Sequence, residues 1–404
     1  MLDRNKLTGA DIQIEFCGHR LQSPFILTSG PLCYGAEGMI RGHQAGCGAV
    51  VTKTIRLGAA INPVHHMSTI NGDSLINCEK WADSDRLQWY EKEIPETVAA
   101  GAVVIGSVGH TLAEAKAIVA DVEKAGAHII ELVSYTEDTL LPMLDYAKSH
   151  VSIPVICKLS GNWPDTVATA RRCLEHGADG LCAIDSIGPT LKIDIRKAAP
   201  VMQSGDGFGW MTGSAMRPIS MRINAQIARN HPGLRNLYAS GGCMNAEHAI
   251  EFLMAGAMGV GVCTAPILKG ISYVEELCYS LSAKLAELGY HSIEEVFRAA
   301  QPNFPKKELV CGLDFRFEPF KADGSKKCVS CRRCEKACCY KARTLDFPEM
   351  RVDRTLCRNC GLCADVCPTG ALTAAFATQT AEDLQLERDS SRFYDYINEI
   401  NAEE

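Results

Sequence analysis

The sequence predicts an α/β protein: a (β/α)8 TIM barrel followed by a small cysteine-rich domain. Between about residues 23 and 261, eight short apolar segments alternate with stretches whose apolar residues recur with the helical period. Eight of the 20 cysteines then fall into two regularly spaced quartets near the C-terminus. A chain of 404 residues is long enough for one large core and one small one.

The composition narrows the classes of protein that fit. Hydrophobic residues make up 47% of the chain and charged residues 22%, which is ordinary for a globular protein and argues against a disordered chain. The net charge of −7, without a basic run, makes nucleic acid and anionic membrane surfaces poor partners. The first residues, MLDRNKLTGADIQIEF, lack the apolar core of a signal peptide, and no apolar run reaches the roughly 18 residues of a membrane span. We therefore expect a cytoplasmic protein.

The predicted strands are short apolar runs, several of them preceded by a glycine that can end a helix. Helical segments such as TLAEAKAIVADVEKAG and WPDTVATARRCLEHG separate them. Eight alternations favour a closed barrel, and an open doubly wound sheet is the alternative. The strand segments are PFILTS, GAVVTKT, AVVIGSV, AHIIELV, IPVICKL, ADGLCAI, NLYAS and AMGVGVC.

The last two strands end in residues that suit a phosphate group. A barrel carries its functional residues at the C-terminal ends of its strands. Gly241 and Gly242 follow the seventh strand, and Cys263 and Thr264 follow the eighth. Glycines let backbone N–H groups approach an anion, and Thr264 can start a helix whose positive end faces it.

Two lysines at strand ends point to an anionic cofactor. Lys158 closes an apolar strand, where its charge requires an anionic partner such as a reduced flavin. Lys53, at the end of the second strand, can serve the same cofactor. Two alternatives remain open: a lysine that reaches solvent, and the Schiff-base lysine of a flavin-free, phosphate-binding lyase.

The two cysteine quartets share the spacing C-x2-C-x2-C-x3-C, and a proline follows the second. This spacing is typical of a bacterial-type ferredoxin domain with two [4Fe–4S] clusters, in which the fourth cysteine of each run ligates the other cluster. A pair of zinc sites is the alternative, but zinc does not explain the fourth cysteine of each run. Cys339 stands where the first run would carry proline. The predicted ligand sets are Cys328, Cys331, Cys334 and Cys367 for one cluster, and Cys357, Cys360, Cys363 and Cys338 for the other.

These patterns divide the chain into four parts. The barrel is predicted over residues 1–305, and a linker with proline, glycine and lysine over 306–325. The ferredoxin domain is predicted over 326–378. An acidic tail over 379–404 is predicted to be helical.

Eight segments in the barrel region, taken in order, resemble the dihydroorotate dehydrogenase and dihydropyrimidine dehydrogenase flavoproteins. The resemblance runs from about Ile14 to Leu288 and implies a barrel that binds FMN. It also implies that Asn77, after the second strand, bonds a planar ring that carries carbonyl groups, although Asn77 could instead stabilise its own loop. The segments are SPFILTSG, GAVVTKTI, LINCEKWAD, IPVICKL, DSIG, GSAMRP, ASGG and GVGVCTA. The FMN-binding residues implied by the resemblance are Ser29, Gly30, Lys53, Thr54, Lys158, Gly213, Gly241, Gly242, Cys263 and Thr264.

The sequence departs from this family where the family contacts substrate. Residues 133–137, VSYTE, stand in place of the family's Asn-x-Ser-Cys-Pro motif. Proton transfer would therefore fall to Tyr135, which we favour, to Thr136, to Ser134 or to another residue. Asp185 replaces a family asparagine. An ionised carboxylate only accepts hydrogen bonds, which suits a substrate with an N–H-rich or cationic edge; alternatively, a protonated Asp185 could serve as the acid. Glu79 and Lys80 add charge to the second loop, which makes orotate a poor candidate substrate.

The expected function is that of an FMN- and iron–sulfur-dependent oxidoreductase. It would act on a C–C bond conjugated to a carbonyl in a small, N-heterocyclic, dihydropyrimidine-like molecule, with electrons relayed through two clusters. No G-x-G-x-x-G fingerprint lies at a strand–helix turn, so the expected electron partner is a separate FAD/NAD(P)H subunit or a ferredoxin, within a homo- or hetero-oligomer. The alternative is an electron-transfer subunit whose barrel is not catalytic.

Overall fold

The computed structural model describes residues 2–305 and 312–377. The chain folds into two compact units, Met1–Phe304 and Pro305–Glu404. The division after Phe304 lies one residue from the predicted end of the barrel. No helix among the described residues combines the length and the apolar content that crossing a bilayer requires.

The first unit contains a closed barrel of eight parallel strands that lie side by side in the order of the sequence. The predicted barrel is therefore confirmed, and each predicted apolar segment supplies one strand. All eight are almost wholly buried, which explains why they are continuous apolar runs and not alternating ones. The strands are β1 (Phe25–Leu27), β2 (Ala49–Val51), β3 (Val103–Gly109), β4 (Ile129–Val133), β5 (Val155–Leu159), β6 (Gly180–Ala183), β7 (Leu237–Ala239) and β8 (Gly259–Val262).

A helix follows each strand around the outside of the barrel. The two segments predicted as helices have clear N-terminal caps: Thr111 accepts a hydrogen bond from the backbone N–H of Glu114, and Asp165 accepts one from that of Ala168. The helices are α1 (Ala36–Gln44), α2 (Ile94–Ala99), α3 (Leu112–Lys124), α4 (Glu137–His150), α5 (Thr166–Glu175), α6 (Arg217–Asn230), α7 (Ala246–Ala255) and α8 (Tyr273–Glu287). Shorter helical segments lie at Arg4–Lys6, Pro31–Cys33, Arg86–Gln88, Trp89–Glu93, Ser214–Met216, Thr264–Lys269, Ile293–Val296 and Gln301–Asn303.

Two long insertions in the barrel together form a four-stranded antiparallel sheet, which we call the mouth sheet. Its strands, in spatial order, are Ile187–Thr190, Gly209–Gly213, Ser74–Asn77 and Met67–Ile70. The first two come after β6 and the last two after β2, so the sheet joins loops that are more than a hundred residues apart. A further strand pair, Ile193–Asp194 with Ala199–Pro200, extends the insertion after β6.

An N-terminal hairpin covers the opposite end of the barrel. Its strands are Ile14–Phe16 and His19–Leu21. The backbone N–H of Cys17, at its turn, donates to Oδ1 of Asn236 at 2.9 Å. Asn236 directly precedes β7, so the hairpin lies at the N-terminal ends of the strands, and the C-terminal ends stay open for a site.

The second unit has the internal symmetry of two related halves. Strand Leu313–Phe317 pairs with Leu372–Phe376, and Arg343–Asp346 pairs with Glu349–Val352. The short helices are Arg333–Lys336 and Leu362–Asp365.

The strand Leu313–Phe317 lies inside the range predicted as a linker, 306–325, so that range contains regular structure that its poor periodicity did not indicate. Its residues alternate between half-buried and exposed, and Phe315 and Phe317 pack beside the cysteines. The predicted tail helix over 379–404 lies outside the described residues.

Candidate active site

A cavity of about 430 Å³ opens at the C-terminal ends of the barrel strands, a size that suits a cofactor or a small ligand. Residues after all eight strands and residues of the mouth sheet line it. The structure brings together all ten residues that the resemblance implied for FMN: Ser29, Gly30, Lys53, Thr54, Lys158, Gly213, Gly241, Gly242, Cys263 and Thr264.

The glycines after β7 have a backbone that only glycine adopts without strain. Gly241 has a φ of +103° and Gly242 a φ of +102°. A Cβ at Gly242 would lie 2.5 Å from Cβ and 2.7 Å from Cα of Arg217, so no larger residue fits there. Thr264 begins a short helix directly after β8. Backbone N–H groups that no side chain covers, next to a helix N-terminus, are typical of a phosphate-binding site.

Lys158 and Asp185 form an ion pair in the cavity wall, with Nζ 3.1 Å from Oδ1. Burial alone would lower the pKa of Lys158, but the carboxylates of Asp185 and Glu131 raise it above its ordinary value. Burial would raise the pKa of Asp185, but the charge of Lys158 and a hydrogen bond from the Ser186 backbone bring it below its ordinary value. The pairing with Lys158 favours the ionised form of Asp185 over the protonated acid that the sequence left as an alternative.

Lys53 and Glu79 form a second pair, 2.5 Å apart, in which both side chains are buried. The Lys53 ammonium also lies 4.9 Å from the ring centre of Tyr34, whose hydroxyl accepts a hydrogen bond from Asn62. Glu79 was expected only to add charge to the second loop. Its position shows a more specific role, because it neutralises the lysine that lines the cavity.

Tyr135 lines the cavity after β4, and its ring stacks on that of His110 with centroids 4.1 Å apart and planes at 1°. His110 follows β3, and its buried Nδ1 has no hydrogen-bond partner among the described residues. Burial, and then the charge of Arg56, lower the pKa of His110 to about 4, so its ring is neutral at pH 7. The sequence analysis missed His110. Its only sequence signal is a polar residue directly after an apolar strand.

The structure does not bring Thr136 to the cavity, contrary to its place among the proton-transfer candidates. Thr136 directly precedes α4, and its hydroxyl lies 2.9 Å from the Thr139 hydroxyl. Asn77 does line the cavity, but it ends a strand of the mouth sheet and does not lie in a loop. Its amide donates to the backbone carbonyl of Trp210 at 3.2 Å, which leaves its own carbonyl oxygen for other contacts.

The cysteines of the second unit gather in two places. Cys338 lies in a small cavity with Cys357, Cys360 and Cys363, although it belongs to the other quartet. Cys328 and Cys334 are buried in adjoining apolar clusters, and Cys367 packs against both clusters. Among the described residues, no three cysteine, histidine or acidic side chains converge closely enough to hold a single metal ion. A four-iron cubane separates its ligand sulfurs more widely than a single ion does.

Comparison with known protein families gives two matches. The dihydroorotate dehydrogenase family matches residues 11–285, which is more than half of the chain, and a 4Fe-4S binding domain matches residues 350–373. The chain belongs to the dihydroorotate dehydrogenase family. It is therefore an oxidoreductase of the flavin-dependent class that acts on CH–CH groups, with an iron–sulfur domain attached.

Individual members of the dihydroorotate dehydrogenase family match over most of their length. The NAD-dependent dihydropyrimidine dehydrogenase subunit PreA of Escherichia coli is 27% identical over 404 residues, covering 90% of this chain and 95% of that protein. The catalytic subunit of dihydroorotate dehydrogenase B (NAD(+)) of Methanothermobacter thermautotrophicus is 29% identical over 308 residues, covering 70% of this chain and 97% of that protein. The corresponding subunit of Thermoplasma acidophilum is 27% identical and covers 72% of this chain.

Proposed function

We propose that this chain oxidises or reduces a C–C bond conjugated to a carbonyl in a small N-heterocycle of the dihydropyrimidine type. FMN in the barrel and two [4Fe–4S] clusters in the second unit would serve this reaction. The observation that carries the proposal is the convergence of all ten expected FMN-binding residues on one cavity, in a chain that also has two complete cysteine quartets.

The cavity wall fits FMN in charge and in shape. Gly241, Gly242 and Thr264 offer backbone N–H groups for a phosphate, and Lys158 offers a buried positive charge for the ring system. FMN supplies hydride transfer when bound, and the protein's task is to orient the substrate and to tune the charge around the ring. Because Asp185 already pairs with Lys158, the positive charge offered to the ring is partly neutralised.

The polar groups near the mouth sheet favour a substrate with both N–H and carbonyl groups. The carboxylate of Asp185 and the side-chain carbonyl of Asn77 accept hydrogen bonds, and Lys80 donates them. Glu79 forms an ion pair with Lys53, so its carboxylate contributes less to substrate binding than an unpaired carboxylate would. A cyclic amide or ureide presents hydrogen-bond donors and acceptors along one edge, which matches the acceptors and the donor on this part of the cavity wall.

Tyr135 is the group that we assign to proton transfer. It lines the cavity after β4. Its phenol is protonated at neutral pH, and burial raises the pKa further above the ordinary value. The parallel ring of His110 fixes the orientation of Tyr135. His110 itself is held by its backbone N–H, which donates to Glu114 at 2.5 Å. A phenol on a fixed ring can deliver a proton to one substrate position.

The electron partner is proposed to be a separate subunit that carries FAD and binds NAD(P)H, or else a ferredoxin. The chain lacks a dinucleotide fingerprint. All three relatives described above are named as subunits of NAD-dependent enzymes, which supports a second subunit. A lyase with a Schiff-base lysine is disfavoured, because such a lysine must be neutral and the pKa of Lys158 is raised by Asp185 and Glu131 despite its burial.

An anaerobic half-reaction tests this proposal. The purified chain is reduced chemically and mixed with dihydropyrimidine and pyrimidine pairs, cyclic ureides and cyclic enones, while flavin absorbance is followed. Reoxidation by a small heterocycle, with the reduced heterocycle found by mass spectrometry, is the expected result. If the reduced protein transfers electrons to a ferredoxin or a reductase and no small molecule reoxidises its flavin, the chain is an electron-transfer subunit and the catalytic proposal fails.

A further inference from the structure

Arg343 is a buried positive charge that forms no ion pair with a carboxylate of the described residues; the side chain that it does approach is the Cys363 thiol. It begins the strand Arg343–Asp346 and is only 3% exposed. Neither Nη1 nor Nη2 finds a hydrogen-bond acceptor within 2–305 or 312–377. A buried, unpaired charge is strongly destabilising. The burial of Arg343 therefore indicates an anion beside its guanidinium that no carboxylate of the described residues supplies.

The surroundings of Arg343 indicate what that anion is. Its guanidinium lies 3.9 Å from the ring centre of Phe315, a contact that holds it in place. The same small cavity is lined by one predicted ligand set, Cys338, Cys357, Cys360 and Cys363. A cubane held by four thiolates is negatively charged in both redox states and gains a further negative charge on reduction.

The two halves of the domain differ at this position. The run C-x3-A-R-T from Cys338 to Thr344 corresponds to C-x3-A-L-T from Cys367 to Thr373. Leu372 therefore stands where Arg343 does, and both residues are buried and begin a strand. Leu372 packs in an apolar cluster that contains Cys334, a predicted ligand of the other cluster, and also Cys363. One half places a cation beside its cysteines, and the other half places an apolar side chain.

We infer that Arg343 is the counter-charge of the cluster bound by Cys338, Cys357, Cys360 and Cys363, and that it makes this cluster easier to reduce than its neighbour. This inference rests on the proposed two-cluster function. A nearby cation stabilises the more negative, reduced state more than the oxidised state. Hydrogen bonds from the guanidinium to cluster sulfurs act in the same direction. Electrons that enter the domain therefore collect on this cluster.

The test uses the full chain with its cofactors and three variants. Arg343→Gln removes the charge, Arg343→Lys keeps it, and Arg351→Gln removes an exposed charge from the paired strand. Iron and sulfide are measured first, and an anaerobic redox titration followed by electron paramagnetic resonance then gives the potential of each cluster. In Arg343→Gln, the reduced-to-oxidised ratio of one cluster should fall at least about tenfold at fixed potential, a shift of about 59 mV for one electron. The other cluster, the Arg351→Gln control and, for the most part, Arg343→Lys should keep the wild-type values.

The possible results separate this inference from the proposed function. If the wild type does not hold about eight irons, the two-cluster proposal fails before the role of Arg343 is tested. If all variants hold about eight irons and the two potentials do not change in Arg343→Gln, the inference about Arg343 is wrong while the two-cluster proposal stands. Loss of about four irons in Arg343→Gln but not in Arg343→Lys supports the counter-charge. The same loss in both variants shows that Arg343 acts through packing, and contradicts it.

Discussion

The ion pair between Lys158 and Asp185 gives a prediction whose size can be worked out from the structure. Its charged atoms are 3.1 Å apart, and at an effective dielectric constant of about 20 this separation corresponds to about 5 kcal/mol of attraction. The Lys158 side chain is 9% exposed but that of Asp185 is 40% exposed, so solvent screens the pair, and we expect about half of that energy, about 2–3 kcal/mol. Asp185→Asn should lower the free energy of unfolding of the barrel by that amount, because it leaves Lys158 charged and buried.

A double-mutant cycle tests this value. All four tryptophans of the chain lie in the barrel region, so anaerobic urea unfolding of flavin-free protein, followed by tryptophan fluorescence, reports on the barrel alone. The double variant Lys158→Met/Asp185→Asn should be more stable than Asp185→Asn, since it removes the uncompensated charge. The exposed pair Arg171–Glu175 is the control, and Glu175→Gln should change stability by about 0.5 kcal/mol or less. If Asp185→Asn is as stable as the wild type, or if the effects of substituting Lys158 and Asp185 on the free energy of unfolding are strictly additive, the ion pair does not stabilise the barrel.

Three further predictions concern the cofactors and the proton. Tyr135→Phe keeps the stacked ring but removes the hydroxyl, so substrate turnover should fall about 10²–10⁴-fold. Because burial raises the pKa of this phenol, the wild type should lose activity only at a pH above the ordinary range of a tyrosine, and this alkaline loss should be absent from the residual activity of Tyr135→Phe. Unchanged turnover in Tyr135→Phe would show that Tyr135 does not transfer the proton. Cys338→Ser should lose about four irons per chain, whereas serine at the exposed Cys339 should retain them, and equal iron contents would contradict the ligand sets. Gly242→Ala should weaken flavin binding at least about tenfold, measured by fluorescence titration, because the residue has a positive φ and its Cβ meets the Arg217 backbone; alanine at the open position Gly233 should not. Tight flavin binding in both glycine variants would contradict the phosphate site.

The barrel could be predicted from the sequence because each strand is a short, almost wholly buried apolar run and the helix segments show the helical period, in some cases with an N-terminal cap. Those signals are local. The mouth sheet could not be predicted in this way, because its central strands Ser74–Asn77 and Gly209–Gly213 pair across more than 130 residues and carry no turn motif that links them. The strand Leu313–Phe317 could not be predicted for the same reason, because it pairs with a strand that is distant in the sequence, Leu372–Phe376.

The candidate site was predicted well where residues sit at strand ends, and less well where a residue's role depends on a distant neighbour. Lys53 and Lys158 were identified as cavity residues, but their carboxylate partners were not, because pairing depends on how separate loops meet. The lowered pKa of Asp185 follows from that pairing and could not be inferred from the substitution alone. His110 gave little signal, since its unusual features are its burial and its contact with Tyr135, which only the folded barrel creates.

The central claim, that one chain holds a flavin and two iron–sulfur cubanes, is tested most directly by its cofactor content. Protein purified without exposure to oxygen should release about one FMN per chain on denaturation and contain about eight irons and eight acid-labile sulfides. Its absorption spectrum should show both the flavin bands and the broad shoulder of iron–sulfur clusters. A colourless preparation with an intact fold, or one with zinc in place of iron and no flavin, would contradict the account.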